Sequence, residues 1–172
     1  MSNRVTKQKR FNNAMLYRMD SEIPPVEQIR LKIEINCYEH FNELGLVTFP
    51  FSVSNRWFNG SCDITTYHFA ELLGTKLRAL YQRRKGRDLF DLYVALKRTT
   101  IDDDDDIIRC YRRYISFSTP HPPTRKQFLM NMEEKMRDSD FLTDSAPILR
   151  PGIAYDPFEA YDLVRERLLS RL

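Results

Sequence analysis

In the stretch from Thr66 to Leu96, TYHFAELLGTKLRALYQRRKGRDLFDLYVAL, a lysine stands where a core residue is expected. At 100° per residue, Phe69, Leu72, Leu73, Leu77 and Leu80 form one apolar arc of a helix, and Lys76 falls inside that arc. An ammonium group on such a face is costly unless an anion meets it. Downstream, Arg87-Asp88-Leu89-Phe90-Asp91 opens a second helix with carboxylates at i and i+3, hence on one face. Between Lys76 and Asp88 lie Arg78, Arg83, Arg84, Lys85 and Arg87, with no acid among them. An inward lysine, a basic turn and paired acids together point to the handling of phosphate. Each part also has a plainer reading. A lysine can snorkel to solvent past its neighbours, acids in a first helical turn offset the dipole, and a basic run is either a solvated helix end or a surface that tracks a nucleic-acid backbone.

The second candidate is Glu34. In Ile29-Arg30-Leu31-Lys32-Ile33-Glu34-Ile35 the period is two, so the four apolar residues share one face of a strand while Arg30, Lys32 and Glu34 share the other. That polar face is either the solvated side of an antiparallel sheet, or it offers Glu34 as one carboxylate of a cluster that holds Mg²⁺ against a triphosphate, since hard cations take oxygen ligands. Other signals carry less. Asp102 to Asp106 precede a helical stripe of Ile107, Cys110, Tyr111, Tyr114 and Ile115, and read as solvated acids at a helix N-terminus. Gly60-Ser61 is too short for a phosphate loop, and His40, His68 and His121 lack ligand spacing.

The elements that must position these residues change type along the chain. Up to about Ser61 it is β-rich, with runs at Ala14–Met19, Gln28–Asn36 and Leu46–Val53 separated by Pro24-Pro25 and by the Asn42–Gly45 turn region. After Thr65 the periodicity predicts helices over Tyr67–Arg83, Asp88–Lys97, Asp105–Phe117, Thr124–Arg137 and Pro157–Arg171. The last has Asp156 as N-cap, Pro157 at the first helical position and Glu159 closing a capping box. The expected class is α+β: a small mixed or antiparallel sheet in 1–66, followed by a helical lobe in 67–172 packed on it.

A chain of 172 residues, 42% hydrophobic and 30% charged, can bury a real core. Its net charge of +3 is too small to require a polyanionic partner, so the clustering of the basic residues matters more than their sum. Three widely spaced cysteines, Cys37, Cys62 and Cys110, fit reduced thiols and no disulfide framework. No apolar run follows the opening MSNRVTKQKR, and none is long enough to span a bilayer. The expectation is a cytoplasmic protein with no membrane partner.

The segments LKIEINCYEHF, PFSVSNRWFNGSCDITTY and ELLGTKLRALYQRRKGRDLFDLYVAL resemble the nucleotidyltransferase toxins of the AbiEii/AbiGii abortive-infection family, and PGIAYDPFEAYDLVRERLL is similar to that family's C-terminal helical region. The specific part is Lys76 followed by Arg87-Asp88-x-x-Asp91. The resemblance implies a partial polymerase β-like nucleotidyltransferase core with a helical lobe. It also implies transfer of a nucleotide from an NTP, with Mg²⁺, to an acceptor that in some relatives is the 3′ end of tRNA, and a cognate antitoxin as partner. Carried onto this chain, Glu34 is the third acid of the catalytic cluster and a metal ligand, Lys76 grips the triphosphate, and Asp91 with Asp88 completes the polar network. Lys32 and Arg87 join them as candidate phosphate contacts, and Arg78, Arg83, Arg84 and Lys85 as candidate nucleic-acid contacts.

The family's first motif, a Gly-Ser followed about ten residues later by Asp-x-Asp, has no counterpart ahead of Glu34. Asp20-Ser21-Glu22 has no Gly-Ser before it, and Gly60-Ser61 comes after Glu34. One carboxylate cannot hold two metal ions in the geometry phosphoryl transfer needs. The expectation is therefore a chain that begins inside the family's catalytic domain and is inactive alone. Two rivals stand beside it: a non-catalytic module that binds nucleotide, RNA or antitoxin, and the C-terminal fragment of a split toxin whose exposed sheet edge drives self-association.

Overall fold

Alternation of apolar and polar residues builds the first part of the chain. The computed structural model describes residues 3–9, 12–98 and 104–172, without the side chains of 3–9 and 98. It has a three-stranded antiparallel sheet of β1 (Asn3–Lys9), β2 (Asn12–Asp20) and β3 (Gln28–Asn36), in that spatial order. The register sets Met15 opposite Ile33, Tyr17 opposite Leu31 and Met19 opposite Ile29. Opposed residues share a face, so one face of β2 and β3 is apolar. Leu16 opposite Lys32 and Ala14 opposite Glu34 belong to the other. β2 and β3 fall where the period of two places them. β1 is an addition that the polar, basic opening segment conceals.

A second, separate sheet is the hairpin of β4 (Leu46–Ser54) and β5 (Asn59–Tyr67). Asn55 reverses the chain between them, its Oδ1 accepting from the backbone N–H of Trp57 at 2.9 Å and of Phe58 at 3.0 Å. β5 corrects the expectation that helix takes over at Thr65. The strand runs to Tyr67 because Ile64, Thr65 and Thr66 are β-branched and pair with Phe49, Thr48 and Val47. The chain forms two compact units, Met1–Phe41 and Asn42–Leu172, so this hairpin belongs to the same unit as the helices.

Among the described residues six helices follow: α1 (Phe69–Gln82), α2 (Gly86–Arg98), α3 (Asp104–Ser118), α4 (Arg125–Lys135), α5 (Ser139–Thr143) and α6 (Pro157–Arg167). α1 packs on α3 and α2, and α2 packs on α6. Their core is closed by fully buried Leu77, Leu80, Leu89, Ile107, Phe128 and Leu168. The buried face of α1 is rotated from the expected arc toward Ala70, Glu71 and Gly74. Small residues there let α3 come close: a Cβ on Gly74 would lie 2.6 Å from Cys110 Cβ and 2.9 Å from the Ile107 carbonyl oxygen. Leu73, Leu77 and Leu80 therefore enter the core, whereas Phe69 and Leu72 stay partly exposed.

The ends of α6 and the start of α3 differ from expectation. Asp156 caps α6, accepting from Phe158 N–H at 2.8 Å, with Pro157 first in the helix. Glu159 does not close a capping box; it accepts from Tyr93 Oη at 2.8 Å and from Lys97 Nζ at 2.9 Å, because α2 lies alongside. α6 stops at Arg167, and a 3-10 turn covers Leu169–Arg171. At the start of α3, Asp104 is buried, not solvated: Arg167 grips its carboxylate at 2.6 and 3.1 Å. Asp105 and Asp106 open the same helix, and Asp102 and Asp103 lie outside the described residues.

Candidate phosphate-handling site

The lysine-bearing helix is fastened at both ends by buried polar groups. In its first turn Glu71 is fully buried, and its carboxylate accepts from Tyr114 Oη at 2.6 Å and from the backbone N–H groups of Glu43 at 2.7 Å and Leu44 at 3.0 Å. At its last turn, where helix carbonyls lack intrahelical partners, the buried ammonium of Lys135 donates to the carbonyls of Leu80 and of Tyr81, the latter at 2.9 Å. Burial, with Arg84 adding repulsion, pushes the pKa of Lys135 down to about 8.

Between these anchors Lys76 leans toward the start of α2. Its Nζ lies 2.6 Å from Asp91 Oδ2 and 3.3 Å from Asp88 Oδ1. Asp88 is fully buried, and Arg83 holds it from the other side in a two-pronged contact, Nε to Oδ2 at 3.1 Å and Nη2 to Oδ1 at 2.7 Å. The Asp91 and Lys76 side chains are 41% and 36% exposed, so the outer half of the network meets solvent. Two cations and two anions leave the set neutral. The i and i+3 spacing of the acids thus does what the sequence suggests: one carboxylate fixes the lysine from beneath and the other flanks it at the surface.

Lys76 and Asp91 also border a groove of about 420 Å³ between α1 and α2, whose walls include Phe69, Leu72, Phe90 and Val94. Phe69, Leu72 and Lys76 form the side of α1 that did not enter the core. An apolar trough with a single ion pair on its rim can take a flat apolar group while the rim meets an anionic one.

The basic run is largely committed to acids of its own unit. Besides Arg83 with Asp88, Arg84 meets Asp138 at 2.9 Å, while Lys85 and Arg87 meet Asp144 at 3.6 and 3.1 Å. Arg87 holds the Asp144 carboxyl down to about 2 through hydrogen bonds and charge. Arg78 stacks over the Tyr114 ring at 5.4 Å. These cations remain roughly half exposed in their pairs, Arg83, Arg84, Lys85 and Arg87 alike.

Glu34 belongs to the first unit. It sits on the polar face of β3, where its Oε1 meets Lys32 Nζ at 2.7 Å, both side chains half exposed. Among the described residues no group of three or more His, Cys, Asp or Glu side chains comes together in a way that could hold a metal ion. Sequence reasoning missed Glu71 and Lys135, whose partners, the Tyr114 hydroxyl apart, are backbone groups; the local trace is the Ala70-x-x-x-Gly74 spacing, which marks the face that buries Glu71. It also placed Arg83 on a nucleic-acid surface, whereas the fold uses it to hold Asp88.

A family model described as the nucleotidyl transferase AbiEii toxin of a type IV toxin-antitoxin system matches residues 2–163. The chain belongs to this nucleotidyltransferase toxin family, for which an antitoxin is the implied partner. No curated protein and no solved structure matches it. Among the described residues no helix is long and apolar enough to cross a membrane.

Proposed function

We propose that the rim of the groove between α1 and α2 receives the triphosphate end of an NTP, with Lys76 gripping the phosphates and Asp91, backed by Asp88, meeting the ribose or the acceptor. The observation that supports this is the position of Lys76 Nζ, held between two carboxylates at 2.6 and 3.3 Å on the rim of an open trough. Arg83 holds Asp88 in place through two hydrogen bonds, so the lysine is oriented before any ligand arrives. In nucleotide transfer an acceptor hydroxyl oxygen bonds to the α-phosphorus, and the bond from that phosphorus to the bridging oxygen breaks. Pyrophosphate leaves with the electron pair, and the hydroxyl proton passes to a base or to water. The 3′ end of a tRNA is the acceptor we put forward, in the cytoplasm.

Nucleotidyltransferases generally use a divalent metal, supplied here as Mg²⁺ if it binds. The described residues do not fit one, because Glu34 is a single carboxylate paired with Lys32 and no acidic cluster forms. We assign no step to a metal. The reading is a chain that binds NTP without turning it over by itself. Self-association through an exposed sheet edge completes the proposal.

Incubation with Mg²⁺, labelled NTPs and total tRNA tests it. The expected result is NTP binding without label transfer. Transfer that disappears in Glu34→Ala or Asp91→Ala would overturn the inactivity, and absence of NTP binding would overturn the site. A second reading, a non-catalytic RNA-binding module, is favoured by the exposed halves of Arg84 and Lys85. It predicts salt-dependent RNA affinity that weakens in Arg84→Ala/Lys85→Ala; affinity indifferent to salt would contradict it.

A further inference from the structure

β3 is the outer strand of its sheet. β2 pairs with one of its edges, and among the described residues no strand pairs with the other. All nine of its residues are exposed, with Ile29, Leu31, Ile33 and Ile35 between 40% and 52%. A long edge without proline is a template for another strand.

The order of residues along this edge is self-complementary. In antiparallel pairing about a two-fold axis at Lys32, Arg30 of one copy faces Glu34 of the other, and Glu34 faces Arg30 in turn. Ile29 then meets Ile35, Leu31 meets Ile33, and Gln28 meets Asn36. Opposite charges match on one face and apolar residues on the other, with every residue of the strand in the ladder. Slipping by one residue sets isoleucines against charges. Slipping by two shortens the ladder in both directions; one sets Arg30 against Lys32, and the other sets Lys32 against Glu34 but leaves Arg30 against the neutral Asn36. Only Lys32 meets its own kind, on the axis, and the Glu34 of its own strand neutralises it at 2.7 Å.

We propose that β3 is a homodimer interface, in which the outer edges of two copies pair antiparallel about Lys32 and join two three-stranded sheets into one. The apolar faces of β2 and β3 become continuous across the junction, which adds burial to the backbone hydrogen bonds. The occupant of the edge is a second copy because the charge pattern answers itself and because an isologous contact closes without leaving a further edge of the same kind. This sharpens the self-association put forward above and stands apart from the NTP site, since neither Lys76 nor Asp91 takes part.

Light scattering coupled to size exclusion, on the whole chain at micromolar concentration, tests it. The expected wild-type mass is that of a dimer, unchanged by Lys76→Met. Arg30→Glu and Glu34→Arg should each raise the dimer dissociation constant about 30-fold, since each turns two attractive cross-strand pairs into repulsive ones. The double swap Arg30→Glu/Glu34→Arg should restore the dimer. Within one copy Arg30 lies opposite Arg18, so Arg30→Glu removes a like-charge pair and leaves the folded monomer intact. A wild-type monomer, a dimer indifferent to both swaps, or failure of the double swap to restore it would each overturn the proposal.

Discussion

Asp88→Asn separates the clamp that orients the lysine from the lysine itself. The fully buried carboxylate accepts two hydrogen bonds from Arg83, at 2.7 and 3.1 Å, and one contact from Lys76 at 3.3 Å. Hydrogen bonds to charged groups contribute about 1.5–3 kcal/mol each. Arg83 and Lys76 are respectively 55% and 36% exposed and regain water when the charge is lost, so most of that sum is offset. Asp88 also lies in the first turn of α2, where a negative charge adds about 0.5 kcal/mol. The net cost is about 2 kcal/mol, a fall in Tm of about 6 °C. Lys76→Met leaves Asp88 with Arg83 and costs about 0.5 kcal/mol. Urea denaturation followed by circular dichroism measures both. If Asp88→Asn shifts the midpoint no more than Lys76→Met does, Asp88 is not the anchor of this network.

Gly86 opens α2 against α5: a Cβ there would lie 2.0 Å from the Phe141 carbonyl oxygen. Gly86→Ala should cost about 3 kcal/mol in urea unfolding, and a shift under 1 kcal/mol would contradict that packing. Lys135 has its folded pKa lowered toward 8 from 10.5, so the unfolded chain binds more protons between those values and stability rises with pH across that window. The stability difference between wild type and Lys135→Met should move toward wild type by up to about 3 kcal/mol from pH 8 to 10.5, whereas parallel curves would refute it. Asp144 has the same sign in the acid range, its folded pKa held near 2 by Arg87. Its contribution is present above the ordinary carboxylate range and is lost as pH falls through about 2, so Asp144→Asn should flatten the acid limb of the stability curve.

Helical periodicity is local, and the residues it governs were legible. Lys76, Asp88 and Asp91 converge because seven residues of α1 and one turn of α2 set their directions. The stripe from Ile107 to Ile115 is buried as its spacing requires. The misreadings come from partners far along the chain. Asp104 looks like one of a run of solvated acids until Arg167, 63 residues away, closes on it. Glu159 fits a capping box by spacing, yet Tyr93 and Lys97 on a neighbouring helix take it instead. The rotated buried face of α1 was written in Ala70 and Gly74, residues too small to weigh in a hydrophobic pattern but small enough to admit α3. β5 was missed because Ser61 to Thr66 lacks a clean alternation, and its pairing with β4 supplies what the pattern does not.

Equilibrium binding of a labelled NTP to wild type and to Lys76→Met, with inorganic triphosphate as competitor, tests the phosphate site most directly. Loss of the cation we assign to the phosphates should weaken binding about 30-fold while the folded state persists, and triphosphate should displace the label from wild type. Equal affinity in the two proteins, or a label that triphosphate does not displace, would contradict the assignment of Lys76 to the phosphates.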